Sequence, residues 1–144
     1  MDATLASARN WLTAWAMVGL LGGCASLLGT SPAKIALSGS NEVPPVTTDA
    51  AGEARFRVER DGGIQGKVTT QGLAATAAHI HEGASGSNGP VIVPLARAAE
   101  NEWSVPPGTR LSDAQVRSYR AGALYVNVHS AAYPGGEIRG QLTP

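Results

Sequence analysis

Turn-forming residues recur every eight to twelve positions through most of this chain, and that spacing belongs to an all-β sandwich or barrel. The 144 residues include 18 glycines and 9 prolines, enough to punctuate many short strands. Ala54–Arg60 alternates small or apolar residues with charged ones, as a half-buried strand does. Asp61-Gly62-Gly63 then supplies the positive φ angles of a tight hairpin, and Ile64–Thr70 returns as its partner. Further strands are expected at Lys34–Leu37, Thr76–His81, Val91–Leu95, Ala123–Ser130 and Glu137–Leu142. Glu42-Val43-Pro44-Pro45-Val46 is extended, but its prolines lack N–H groups and confine it to an edge or a connection. One helix interrupts the pattern near 112–121. Ser112 and Gln115 carry the capping-box spacing, and Gly122 can end the helix. The expected fold is an antiparallel Greek-key β-sandwich of seven or eight strands with one short helix.

The first thirty residues stand apart from this pattern. Arg9 precedes an apolar run from Trp11 to Leu21, followed by Gly22-Gly23-Cys24. A weakly basic start, about ten apolar residues and small residues at a cut describe a secretory signal. The run is shorter than the roughly 20 residues a bilayer span needs. Leu21-Gly22-Gly23-Cys24 resembles the bacterial lipobox, which implies cleavage before Cys24 and lipid on its sulfur. Residues 1–23 are then a lipoprotein signal peptide, 24–33 a flexible tether and 34–144 the folded domain. Cys24 is the only cysteine, so no intramolecular disulfide can form. Ala25 behind it resembles the sorting signal for an outer-membrane destination, which places the protein on the periplasmic face of that membrane or at the cell surface. Lys and Arg match Asp and Glu, 11 against 11, so there is no cationic surplus to release counterions from a nucleic acid.

Chemistry concentrates at the three histidines, His79, His81 and His129. Alternate residues of a strand share a face. His79 and His81 therefore project together, roughly 6.5 Å apart along the strand, with Ile80 opposed. In Leu124–His129, Val126 and Val128 take one face and Tyr125, Asn127 and His129 the other. If the two strands are neighbours, all three imidazoles leave the outer face of one sheet. Glu137 and Arg139 share a parity and can lie beside them. Three histidines with an open position suit a catalytic or carrier ion, and imidazole suits zinc or copper. The mature chain has no methionine to favour Cu(I), so one Cu(II) or Zn ion is expected. Glu82 or Glu137 can add a ligand or orient a ring, with Tyr125, Asn127 and Arg139 as further neighbours. In the metal-free alternative, His79 and His81 bond carbonyls of the 82–89 loop and His129 pairs with Glu137. Ser85–Gly89 lacks the lysine of a phosphate loop and reads as a lid. Ser87 and Ser130 lack a nucleophile elbow, and Glu137-Ile138-Arg139 is expected to make a salt bridge across the sheet.

Several motifs in order resemble the CHRD (chordin-type) domain, from about Ile35 to Leu142. They are Asn41–Val46, Ala78-His79-Ile80-His81-Glu82-Gly83, Asn88-Gly89-Pro90-Val91, Leu111-Ser112, Gly122–Ser130 and Pro134–Leu142. The resemblance implies export and a β-sandwich. Its animal members include an extracellular protein that captures growth factors, which implies binding rather than catalysis. His79-Ile80-His81-Glu82 and Val128-His129 also resemble the copper-ligating segments of copper/zinc superoxide dismutase, without the bridging histidine or the zinc ligands. Three functions follow. The first is a lipid-anchored binding module holding copper or zinc through His79, His81 and His129. The second is a copper redox enzyme in which Arg139 steers an anion. The third is a metal-free domain that recognises an envelope protein.

Overall fold

The computed structural model describes residues 32–144. The expected signal, Cys24 and most of the tether lie outside the described residues. Nine strands and one helix follow in chain order: β1 Ile35–Ser38, β2 Ala51–Val58, β3 Ile64–Gln71, β4 Ala75–Glu82, β5 Val91–Pro94, β6 Ala96–Ala99, β7 Glu102–Ser104, α1 Asp113–Arg120, β8 Leu124–Ser130 and β9 Ile138–Gln141. The all-β antiparallel architecture with one helix is as the sequence predicts. The sheet is single, in the order β5-β4-β8-β9-β1-β2-β3-β7-β6. It rolls nearly into a barrel, so the two layers of the expected sandwich are opposite walls of one sheet.

Closure comes from one bent strand. β5 pairs with β4 and β6 pairs with β7, yet only Leu95 separates β5 from β6. A single stretch of chain thus serves both ends of the sheet and draws them together. The Leu95 N–H donates to the Ala78 carbonyl at 3.0 Å, and the Arg97 guanidinium reaches the Ala75 carbonyl. Side-chain and lone backbone bonds close the seam where a continuous ladder is missing. β6 and β7 are the strands absent from the sequence-based reading. Ala96-Arg97-Ala98-Ala99 has low strand propensity and is exposed along its whole length, so it carries no alternation to detect.

Local signals elsewhere act as expected. Gly62 takes φ +86° at the β2–β3 turn, and Asp61 Oδ1 accepts the Gly63 N–H at 3.0 Å. Ser112 and Gln115 form the reciprocal capping box, and Gly122, at φ +69°, lies just beyond the helix. Val116 turns from α1 into the core, with Tyr119 packed beside it. The core gathers Leu37, Phe56, Ile64, Val68, Ile80, Trp103, Leu124, Val126, Val128, Ile138 and Leu142 inside the barrel. Among the described residues no helix is long and apolar enough to cross a membrane.

Candidate metal centre

β4, β8 and β9 lie side by side, and their registers set one polar face. His81 stands opposite Tyr125 and Tyr125 opposite Gln141; His79 stands opposite Asn127 and Asn127 opposite Arg139. His129, two residues beyond Asn127, stands opposite Ala77. Residues of the other parity, Ala78, Ile80, Val126, Val128 and Ile138, fill the core. Strand parity therefore sorts the side chains as expected, and β4 and β8 are neighbours.

The polar face is covered, in part by the loop that the sequence reads as a lid. β8 is buried at every residue. Three connections lie across it: 42–46 after the first strand, 83–90 between β4 and β5, and 131–136 between β8 and β9. The Arg139 guanidinium donates to the Ser87 carbonyl at 2.7 Å, with longer contacts to Asn88 Oδ1 at 3.3 Å and the Ala84 carbonyl at 3.4 Å. Gln141 Nε2 holds the Gly83 carbonyl at 2.9 Å, and Asn88 Nδ2 ties the strap to the Val43 carbonyl at 2.8 Å. Gly89 lies against the Glu82 backbone so closely that no side chain fits there.

The three rings meet beneath this cover. One nitrogen from each of His79, His81 and His129 lies within 4.8 Å of the others. His81 Nδ1 is 2.9 Å from the Gly89 carbonyl and His129 Nδ1 is 3.0 Å from the Pro134 carbonyl. A carbonyl only accepts, so both Nδ1 atoms carry hydrogen, and in the neutral rings both Nε2 atoms carry lone pairs. His129 Nε2 takes the His79 Nδ1 hydrogen at 3.0 Å. His81 Nε2 is buried with no partner among the described residues. Carbonyl partners of this kind fix the tautomer of metal-ligating histidines.

Burial, then the charge His129 and His81 would carry, pulls His79 below the usual imidazole range. His129 is lowered chiefly by burial and by His81, against an opposing hydrogen bond to Pro134. Both effects favour the neutral ring, which is the ligating form. Bonds of roughly 2.0–2.1 Å to one ion set nitrogens about 3.4 Å apart in a tetrahedron and about 4.1 Å apart when opposite. The observed 4.8 Å limit asks for a small contraction among the three rings.

The remaining expected neighbours divide. Tyr125 stacks on His81 at 4.8 Å and 8° between planes, and the Arg139 guanidinium lies 3.3 Å from the Tyr125 ring centre. Tyr125 also accepts the Gly89 N–H at 3.1 Å, so it grips the residue that orients His81. Glu82 accepts the Ser118 hydroxyl of α1 at 2.5 Å, and Glu137 accepts the Thr48 hydroxyl at 2.7 Å. Neither carboxylate joins the trio. His129 bonds His79 and Pro134 rather than Glu137, because the 131–136 turn delivers a carbonyl to Nδ1 first. His81 does bond a loop carbonyl, that of Gly89. Among the described residues neither Glu137 nor Arg139 makes an ion pair, so the expected salt bridge across the sheet is not formed. Arg139 is 1 % exposed and committed to the strap, which removes it from steering anions at the surface.

Glu42 was not singled out from the sequence. Its carboxylate is buried beside Asn127 and Arg139. Burial raises its pKa against the opposing pull of the Arg139 charge, the Asn127 amide and the Val43 backbone. Two prolines mark this segment as a rigid connection, but nothing local says that it returns to the β8–β9 face.

An antiparallel all-β domain, nearly closed into a barrel and carrying a shielded trio of imidazoles, is the class that fold and site define. The family model described as CHRD domain matches residues 33–142, nearly all of the described chain, and the protein belongs to that family. No curated protein and no solved structure matches the sequence significantly.

Proposed function

We propose that this CHRD domain is an exported binding module, lipid-tethered through Cys24, that holds one copper or zinc ion with His79, His81 and His129. The observation that carries the reading is His81 Nε2, a buried lone pair with no donor, in a group of three nitrogens within 4.8 Å. Leaving such an atom unpaired costs about 1–3 kcal/mol, and an ion offsets that cost. Ligation through His79 Nδ1 moves that ring's single hydrogen to Nε2, so the ring stays neutral. Half-buried His79 leaves a route for the ion to enter. Storage or delivery in the envelope suits a site without an attached nucleophile or acid–base pair. Titration of the mature protein with Cu(II) and Zn(II), against His81→Ala, tests the reading. Wild type binds one ion and the variant loses most of the affinity; equal affinities would discard it.

A second reading has an observation of its own. Two rings bond carbonyls and His79 bonds His129, so hydrogen bonds alone tie the 83–90 and 131–136 connections to the sheet. In that case the domain recognises an envelope protein and the trio is structural. Copper redox chemistry of the superoxide-dismutase type has less support, because Arg139 is buried beneath the 83–90 strap and bonded to it. Superoxide consumption by the copper-loaded protein decides that point.

A further inference from the structure

We infer that Asn127 is a fourth ligand, its Oδ1 completing a tetragonal N3O set that selects copper(II) over zinc. The inference rests on the metal-binding reading above and names the ion and the missing donor.

Ring spacing gives the first argument. The centroids of His79 lie 4.8 Å from His129 and 5.8 Å from His81, while His81 and His129 are 6.4 Å apart. An ion bonded at roughly 2.0–2.1 Å sits about 3.2 Å from each ring centre, so opposite rings are about 6.4 Å apart and tetrahedral pairs about 5.2 Å. His81 and His129 match the opposite pair, with His79 between them as the stem of a T. These two rings are also the ones tethered by Gly89 and Pro134, so they resist collapse toward a tetrahedron.

The fourth corner is already furnished. His79 stands directly opposite Asn127 across the β4–β8 ladder, and His81 and His129 flank that pair along the strands. The position facing His79 therefore lies on the Asn127 side. Asn127 is 3 % exposed, and its Oδ1 has no hydrogen-bond donor among the described residues. Its orientation is not free. The Asn127 Nδ2 and Glu42 Oε1 atoms each lie 2.6 Å from where a Cβ on Gly136 would stand, so the amide nitrogen faces the carboxylate. Flipping the amide would set Oδ1 against Glu42, so the carboxylate keeps Oδ1 turned away from itself. Buried acceptors without donors on two corners, His81 Nε2 and Asn127 Oδ1, are both satisfied by one cation. Tetragonal nitrogen–oxygen sets favour Cu(II) or Ni(II), and copper stands highest in the divalent affinity order.

The test uses the mature protein, loaded with Cu(II) and in competition with Zn(II). Wild type gives an axial copper EPR spectrum with a large parallel hyperfine splitting and prefers copper. Asn127→Leu, close to isosteric and without the oxygen, lowers copper affinity roughly tenfold or more, shrinks that splitting and leaves zinc affinity nearly unchanged. Pulsed EPR of the wild type in D2O needs no variant and shows no strongly coupled equatorial water. Unchanged copper affinity and spectrum in Asn127→Leu, zinc preferred over copper, or equatorial deuterons in the wild type would each overturn the assignment while metal binding stands. Absence of any bound metal in the wild type removes the underlying reading as well.

Discussion

The two faces of the β4–β8–β9 sheet are almost equally buried and chemically opposite. Inward, Ala78, Ile80, Val126, Val128 and Ile138 are at most 1 % exposed and make the barrel core. Outward, Tyr125, Asn127, His129, Arg139 and His81 are 1–9 % exposed under three loops. The inner face is stabilised by apolar area removed from water, at about 25 cal/mol per Å². The outer face gains little from area and depends on each polar group finding a partner. Burial inside is therefore a matter of volume, and burial outside is a matter of pairing.

The sharpest break in this comparison is Arg139→Met. Methionine fills much of the same space, so the inner-face rule predicts a mild effect and the outer-face rule a severe one. Removing the guanidinium strips the cation from above Tyr125, frees the Ser87 and Ala84 carbonyls and leaves the Glu42 carboxylate without its counter-charge. Leaving buried carbonyls unpaired costs about 1–3 kcal/mol each. Urea unfolding at neutral pH reads it directly. A loss under about 1 kcal/mol would mean that the polar face tolerates unpaired groups. Metal affinity falls in the same variant, because the strap carrying Gly89 loses its anchor and His81 its fixed tautomer.

Ile80→Val is the matching change on the inner face. Ile80 is fully buried between His79 and His81 in sequence but points the other way. Deleting one methyl there costs about 0.5–1.5 kcal/mol, without altering metal stoichiometry or the copper spectrum. A shifted spectrum would show that the two faces are coupled through the strand rather than independent.

Tyr125→Phe sits between these cases. The ring and its stack on His81 remain, while the acceptor of the Gly89 N–H is lost. One buried donor left unpaired costs about 1 kcal/mol. Amide hydrogen exchange at Gly89 accelerates in this variant, and protection unchanged from wild type would detach Tyr125 from the strap.

Much of this arrangement was legible from pattern alone, and the rest for identifiable reasons was not. Period-two alternation places His79 and His81 together and His129 with Tyr125 and Asn127, because strand geometry fixes parity whatever covers the sheet. Parity does not report cover. The lid reading of Ser85–Gly89 and the expected bond from His81 to an 82–89 carbonyl are met at Gly89. Nothing in the 131–136 turn signals that the Pro134 carbonyl sets the His129 tautomer. That partner is a backbone atom, which no side-chain pattern encodes. Glu42 was missed for a related reason, since a single carboxylate in a proline-rich connection has no periodicity to betray its direction. β6 was missed because its contribution is backbone pairing at the seam, made by alanines that bury nothing.

The finest contrast between the faces is their response to acid. The inner face has nothing to titrate. On the outer face, His79 and His129 are held below the usual imidazole value of 6.5, chiefly by burial. The folded state thus binds fewer protons than the unfolded chain just below that pH. Above about pH 6.5 both states carry neutral rings and stability is insensitive to these groups. As pH falls below it, the unfolded chain protonates first and stability declines, until the folded rings also titrate. Exposure of half-buried His79 keeps the effect smaller than the substitutions above. Saturating copper steepens the same decline, because the ion binds only the neutral rings and stabilises the fold in proportion to its occupancy. Thermal melts from pH 7.5 to 5, with and without copper, measure both slopes. Glu42, whose pKa burial raises, opposes this slope as it protonates. The imidazole part is therefore read as the difference that replacing His79 and His129 makes. No difference would show that the imidazoles are not held neutral by the cover. Replacing His79 and His129 together with asparagine should flatten the curve in either condition.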